Sequence, residues 1–295
     1  MGNVAVTKRG AEGEPLLNVS FYGTRGSTPC PCADNRRYGG NTSCVALESP
    51  GHEPIILDLG TGLRFFGETL PPDGSFRGSA LVTHLHWDHV QGLPFFTPIL
   101  RPGARLDIYG PAPGGSTLSD AFHQFISPPF FPVTVEELYG QMTFHDAADD
   151  DLVLDGAKVR IRSVPHVGDN NGYRVEIGGA SVAYLSDHQM PHDGSHAVTD
   201  DVLELCDGVD LLIHDAQYTP AEFVEKCHWG HCTVDYAVFV AREAGAKRLA
   251  LFHHDPARSD DQLDALLAAA RELPEAAALA EVLAAHEGLT VSLGG

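Results

Sequence analysis

Residues 84 to 89 read His-Leu-His-Trp-Asp-His, directly after Ala80-Leu81-Val82-Thr83. The apolar run reads as a buried strand, so the polar cluster falls where a strand gives way to a turn. In extended backbone, residues two apart point to one side, and His84 and His86 can therefore grip a single ion. If the chain then turns into a short helix, Asp88 and His89 present a neighbouring point where a second ion can sit. Imidazoles with a carboxylate suit zinc, and also manganese or iron(II). The plain alternative is four surface polar residues capping a helix, but histidine seldom clusters without a ligand role.

Further polar residues end apolar strands later in the chain. His166 follows the strand-like Val159 to Val164, Asp187 follows Val182-Ala183-Tyr184-Leu185-Ser186, and His253 ends Leu249-Ala250-Leu251-Phe252. Strand ends are where loops meet and where a site can be built on rigid supports. Asp58 ends Ile55-Ile56-Leu57 before a glycine-bearing turn. A buried carboxylate there is costly unless paired, which makes it a candidate to orient a ligand histidine or a backbone amide, with a simple helix cap as the other reading. Leu211-Leu212-Ile213 ends in His214-Asp215, and Gly230-His231-Cys232-Thr233 opens a helix. Histidine is a poor cap beside serine, threonine, aspartate or asparagine, so His231 invites a chemical role.

The His-x-His-x-Asp-His run, with His166, Asp187 and His253 in that order, resembles the signature of the metallo-β-lactamase superfamily, from about Asn18 to about Asp260. The resemblance implies a four-layer αββα sandwich of class α/β, two central mixed sheets flanked by helices. It implies two Zn2+ ions, with Mn2+ or Fe2+ as substitutes. One ion would take His84, His86 and His166, the other Asp88, His89 and His253, with Asp187 between them and room for a bridging water as nucleophile. Asp215 and His231 are similar to a pair in the ribonuclease Z branch that works at the scissile phosphate. Carried over, they make Asp88, His231 and Asp215 the catalytic set, with His231 protonating the leaving oxygen or stabilising phosphoryl charge and Asp215 holding its tautomer. Two glycine-rich loops, Gly23 to Ser27 and Tyr38 to Ser43, resemble early loops of that branch, so Arg25 or Asn41 could touch a phosphate oxygen, although structural roles are the stronger reading there. Cys30-Pro31-Cys32 resembles part of an extra zinc site in phosphonate-pathway cyclic phosphodiesterases, but the further cysteine is absent. Only a fold that gathers Cys227, His228 and Cys232 beside it would rebuild that site, and free thiols are the stronger reading.

Composition bounds the substrate. With 43% hydrophobic residues in 295, the chain suffices for one large domain, and no run approaches the ~20 apolar residues of a membrane span. The opening residues lack the apolar core of a secretory signal and six cysteines make no dense disulfide framework, so a cytoplasmic location is expected. A net charge of −21 disfavours a broad grip on extended nucleic acid, which rests on Lys and Arg. Residues 1–15 are polar and expected to be poorly ordered; 16–295 read as one domain, with strands beginning near Leu17, Cys44, Ile55, Leu81 and Leu106 and again near Val159, Tyr173, Val182, Leu211 and Leu249. Helices are expected over Val234 to Ala244 and, as an alanine-rich outer pair broken near Pro274, up to Ala285.

Ribonuclease Z carries a long basic arm between the motifs corresponding to His166 and Asp187, and this chain has room there for one hairpin only. Its extra sequence lies near 111–151 and includes Phe130 and Phe131, which read as a lid over a nucleobase or as a flap or homodimer contact. The chain is therefore expected to be a dinuclear zinc phosphodiesterase opening a cyclic nucleotide or similar small phosphodiester, resembling class II and anti-Pycsar cyclic-nucleotide phosphodiesterases. The alternatives are a tRNA 3′-processing endonuclease of ribonuclease Z type, a one-iron protein similar to sulfur dioxygenases, and a non-enzymatic metal-binding protein.

Overall fold

The computed structural model describes residues 16–294; the expectation for residues 1–15 lies outside them. One sheet contains β1 (Leu17–Gly23), β2 (Cys44–Glu48), β3 (Ile55–Leu57), β4 (Arg77–Leu81), β5 (Arg105–Gly110), β6 (Gln141–Asp146) and β14 (Thr290–Leu293), in the order β14-β1-β2-β3-β4-β5-β6. The other contains β7 (Asp151–Leu154), β8 (Ala157–Ser163), β9 (Asn171–Ile177), β10 (Ala180–Leu185), β11 (Leu211–Asp215), β12 (Arg248–Phe252) and β13 (Glu281–Ala284), in the order β13-β12-β11-β10-β9-β8-β7. Each sheet is antiparallel on one side and parallel on the other, from β3 to β6 and from β10 to β13.

Strict alternation builds the inner layer. Leu17, Val19 and Phe21 of β1 are buried while the residues between them are not, and they meet Val182, Tyr184 and Phe252 of the other sheet in one core. The parallel strands β11 and β12 are buried nearly throughout, because helices cover their second face. Those helices are α4 (Asp200–Cys206), α6 (Val234–Glu243) and α7 (Asp260–Arg271), which share a second core with that sheet. On the opposite flank α1 (Leu63–Thr69) and α3 (Leu118–Phe125) close a third core. Two further helices, α2 (Trp87–Val90) and α5 (Pro220–Lys226), follow the parallel strands β4 and β11. Four layers result, as the resemblance implied.

Two expectations need correction. The alanine-rich stretch is helical only in its first half: Pro274–Ala278 is a 3-10 turn and Glu281–Ala284 is β13, paired with Arg248–Leu251. Alanine's helix preference amounts to tenths of a kcal/mol per residue, and ladder bonds plus the burial of Val282, Leu283 and Ala284 outweigh it. The segment 111–151 is also less of an insert than expected. It contains α3 and β6, and β6 pairs in parallel with β5 from Gln141 to Asp146, leaving residues 126–140 as the part that stands apart.

Candidate metal centre

Parallel strands deliver the polar residues to one rim. Thr83 and His84 follow β4, Asp58 follows β3, and Asp187, Asp215 and His253 come at or just after the ends of the neighbours β10, β11 and β12. Asp58, Asp187 and His253 all have φ near +55 to +60°, a strained conformation for non-glycine residues that is tolerated where surrounding structure fixes it. The turn after each strand thereby aims its side chain inward.

Three overlapping groups of ligand atoms result. His84, His86, His166 and Asp187 lie within 4.8 Å of one another, Asp88, His89 and His253 form a second such group, and Asp187, Asp215, His231 and His253 a third. Asp187 faces the first two: its Oδ1 is 3.2 Å from His89 Nε2 and 3.1 Å from His253 Nε2, while its Oδ2 is 3.8 Å from His84 Nε2. Such a carboxylate has the geometry of a bridge. His86 presents Nδ1, 2.8 Å from His84 Nε2 and 3.5 Å from His166 Nε2.

The outer nitrogens of the imidazoles decide what the inner ones can do. His89 Nδ1 donates to Asp58 at 2.8 Å, His166 Nδ1 to the Gly230 carbonyl at 2.8 Å, and His253 Nδ1 to Gln217 Oε1 at 2.8 Å. His84 Nδ1 lies 3.0 Å from the Thr83 hydroxyl. With Nδ1 engaged outward, these four rings turn Nε2 into the centre as the atom available to a metal, whereas His86 turns Nδ1 there. His89 Nε2 is buried without a hydrogen-bond partner, an arrangement that costs free energy unless a cation completes it. The residues thus fit a pair of divalent ions.

Asp58 is fully buried and accepts from the Thr83 amide (2.8 Å), the Thr83 hydroxyl, His89 Nδ1 and the Tyr184 hydroxyl (2.8 Å). It orients both a histidine and an amide. Ser27, at φ 62°, donates its amide to Asp88 Oδ2 at 2.7 Å. Two glycines let loops lie flat on ligand rings: a Cβ on Gly230 (φ +93°) would stand 2.2 Å from His166 Cε1, and one on Gly26 would stand 2.3 Å from His253 Cε1. No side chain fits at either position.

Burial and charge act against each other here. Burial lowers the pKa of His84, His86 and His166, which favours the neutral ligand form. Burial also opposes the charge on Asp187, but His253, His89, His231 and His84 outweigh it and hold this carboxyl well below the usual range. For His231 burial is again overcome, by Asp215 and Asp187, which lift its pKa above the ordinary value. His231 Nδ1 is 2.8 Å from Asp215 Oδ2 and 3.6 Å from Asp187 Oδ2, and its ring stacks at 5.0 Å on that of His253. It does not cap α6; Thr233 does, accepting from the Tyr236 amide.

Other expected site residues fare differently. Arg25 is fully buried and cannot reach a substrate: its guanidinium donates to the carbonyls of Gly39, Asp255 and Arg258 and lies 3.6 Å from Asp260. It clamps three loops together. Asn41 is used through its main chain, accepting from the amides of Thr24 and Arg25 and donating to Glu287. Phe130 and Phe131 lie on the loop after α3, Phe130 being 75% exposed. All six cysteines are free, and none joins a group able to hold a metal among the described residues. Two glutamines escape sequence reasoning. Gln217 bonds His253 and Ser27, and Gln189 accepts from the Gly230 amide and donates to the Cys227 carbonyl, fixing the His231 loop beside Asp187.

Similarity to known proteins agrees with this geometry. The family described as the Beta-lactamase superfamily domain matches residues 75–254, from the eve of β4 through His254. The chain belongs to this superfamily. Among curated relatives, the ribonuclease Z of Natronomonas pharaonis is 28% identical over 280 residues, covering 80% of this chain and 86% of that protein. Among solved structures, the metallo-β-lactamase fold protein YhfI of Bacillus subtilis superposes with a TM-score of 0.70 at 19% identity, over 94% of this chain and 99% of that one. Human tRNase Z, short form, gives 0.67 at 24% identity, over 94% and 100%. These two likenesses bear on the fold, which they share with the superfamily.

Proposed function

We propose that this protein is a metal-dependent hydrolase that cleaves phosphodiesters at a two-metal centre formed by His84, His86, Asp88, His89, His166, Asp187 and His253. The His231–Asp215 contact carries the reading. A carboxylate 2.8 Å from Nδ1 fixes that nitrogen as the donor and leaves Nε2 as the atom that exchanges a proton, beside the ligand cluster. Two bound ions, Zn2+ by the chemistry of the donor set, would supply Lewis acidity and an activated water. Asp187 spans the two ligand groups, Asp58 and Gln217 hold the outer nitrogens of His89 and His253, and His231 protonates the departing oxygen.

For the substrate, the curated relatives favour RNA. They are ribonucleases Z, matched over most of their length, and this moves tRNA 3′ processing ahead of the cyclic-nucleotide expectation. A small phosphodiester remains the second reading on one specific ground. β9 and β10 are joined tightly through Gly178-Gly179, both at positive φ, so no arm extends between His166 and Asp187, and the chain carries a charge of −21. Pre-tRNA, cyclic mononucleotides and cyclic dinucleotides offered to one metal-loaded preparation decide between them. Under the RNA reading pre-tRNA is matured and its KM climbs steeply with salt, as phosphate contacts demand. Under the second, cyclic nucleotides are opened with a KM that barely changes between low and physiological salt. Among the described residues no helix is long and apolar enough to cross a membrane.

A further inference from the structure

A cavity of about 650 Å³ lies against the ligand segment itself. Leu85 and Trp87, which alternate with His84, His86 and Asp88, form part of its wall, so the cavity and the candidate metal centre are built on the same segment. Phe95, Phe122, Phe125, Phe130 and Phe131 join Trp87 in lining it. Trp87 is 72% exposed, Phe95 55% and Phe130 75%, a large unpaired apolar surface for one rim. The wall is also ordered, since Phe131 meets Phe95 edge to face at 5.8 Å and so ties the loop after α3 to the segment after α2.

No charged residue lines this cavity, although 20% of the chain is charged. Its polar groups are carboxamides, Gln91 and Gln124. A neutral, flat occupant with a hydrogen-bonding edge meets those conditions: rings stack on rings, and a carboxamide pairs with the donor and acceptor edge of a base. The volume falls within the range of small-molecule sites. We infer that this cavity is a nucleobase subsite, holding a base attached to the phosphate that the metal centre engages. The inference rests on the phosphodiesterase reading for its phosphate and on the cavity alone for its base. Trp87 and Phe130 are then specificity-determining residues that touch the substrate without taking part in the bond cleavage.

Adenosine 5′-monophosphate and ribose 5-phosphate share a phosphate and differ by the base, and calorimetry with the zinc-loaded protein gives both affinities. The nucleotide is expected to bind roughly tenfold or more tightly than the sugar phosphate, and the advantage should fall below about threefold in Trp87→Ala and in Phe130→Ala. Phe130 stands on an exposed loop, so its variant keeps the test meaningful should Trp87→Ala fail to fold. Equal binding of the two compounds by the wild type would overturn the inference, as would an advantage that survives both substitutions. A wild-type dimer that Phe130→Ala dissociates, without change in the ratio, would assign the cavity to a second copy of this chain and likewise overturn it. Should the same preparation leave bis(p-nitrophenyl) phosphate intact, the phosphodiesterase reading fails while the binding ratio still decides the cavity.

Discussion

Asp187→Ala is expected to strip the protein of both ions and to abolish phosphodiester hydrolysis. The carboxylate reaches His89 and His253 through one oxygen and His84 through the other, so it contacts histidines of both ligand clusters. Removing it leaves each ion with fewer ligands and takes away the element that sets their spacing. Changes to outer partners of metal ligands commonly reduce metal affinity or activity by roughly 10- to 100-fold, and loss of a shared inner ligand should exceed that. Asp187→Asn preserves the shape while removing the charge, and it should also lose metal. Elemental analysis and nitrophenyl diester turnover on the same samples check both. A mutant that keeps two ions and its turnover would show that the bridge is assigned to the wrong residue.

His231→Ala separates proton delivery from metal binding. Its ring is not among the expected ligands, so metal content should stay near the wild-type value while kcat falls by roughly 10²-fold or more, the usual size for a positioned proton donor. A nitrophenolate leaves without help from an acid, so an activated diester should lose less than a substrate with an alkoxide leaving group. Asp215→Asn should reproduce the pattern more weakly, because Asp215 acts through His231 Nδ1. If activated and natural substrates suffer equally, His231 stabilises phosphoryl charge and does not deliver the proton.

The ligand cluster was legible because metals demand a small set of side chains and strands deliver them with fixed geometry. His84, His86, Asp88 and His89 are close in sequence, and His166, Asp187 and His253 each stand at the end of an apolar run. Asp58 was legible for the same reason: a carboxylate at the end of a buried strand must find partners, and it finds Thr83, His89 and Tyr184. Gln217 and Gln189 were not, because a glutamine gives no signal until the fold shows which backbone and imidazole groups it meets. For Arg25 the glycine-rich loop left a phosphate contact open beside the favoured structural role, and the carbonyls of Gly39, Asp255 and Arg258 hold its guanidinium inside. β13 escaped because alanine favours helix in isolation, and a parallel ladder with β12 can be recognised only once β12 is in place. The substrate was the least legible part. Charge and the missing arm pointed to a small molecule, while overall likeness to ribonuclease Z points to RNA, and each rests on a different stretch of the chain.

The central claim is a centre of two metals, and counting the metal tests it most directly. Purified protein analysed for transition metals alongside its concentration should contain close to two ions per chain, matching the groups His84–His86–His166 and Asp88–His89–His253 that Asp187 contacts from between. Chelation should remove both ions together with all phosphodiester hydrolysis, and zinc should restore them. One iron per chain, or full hydrolysis by metal-free protein, would contradict the account.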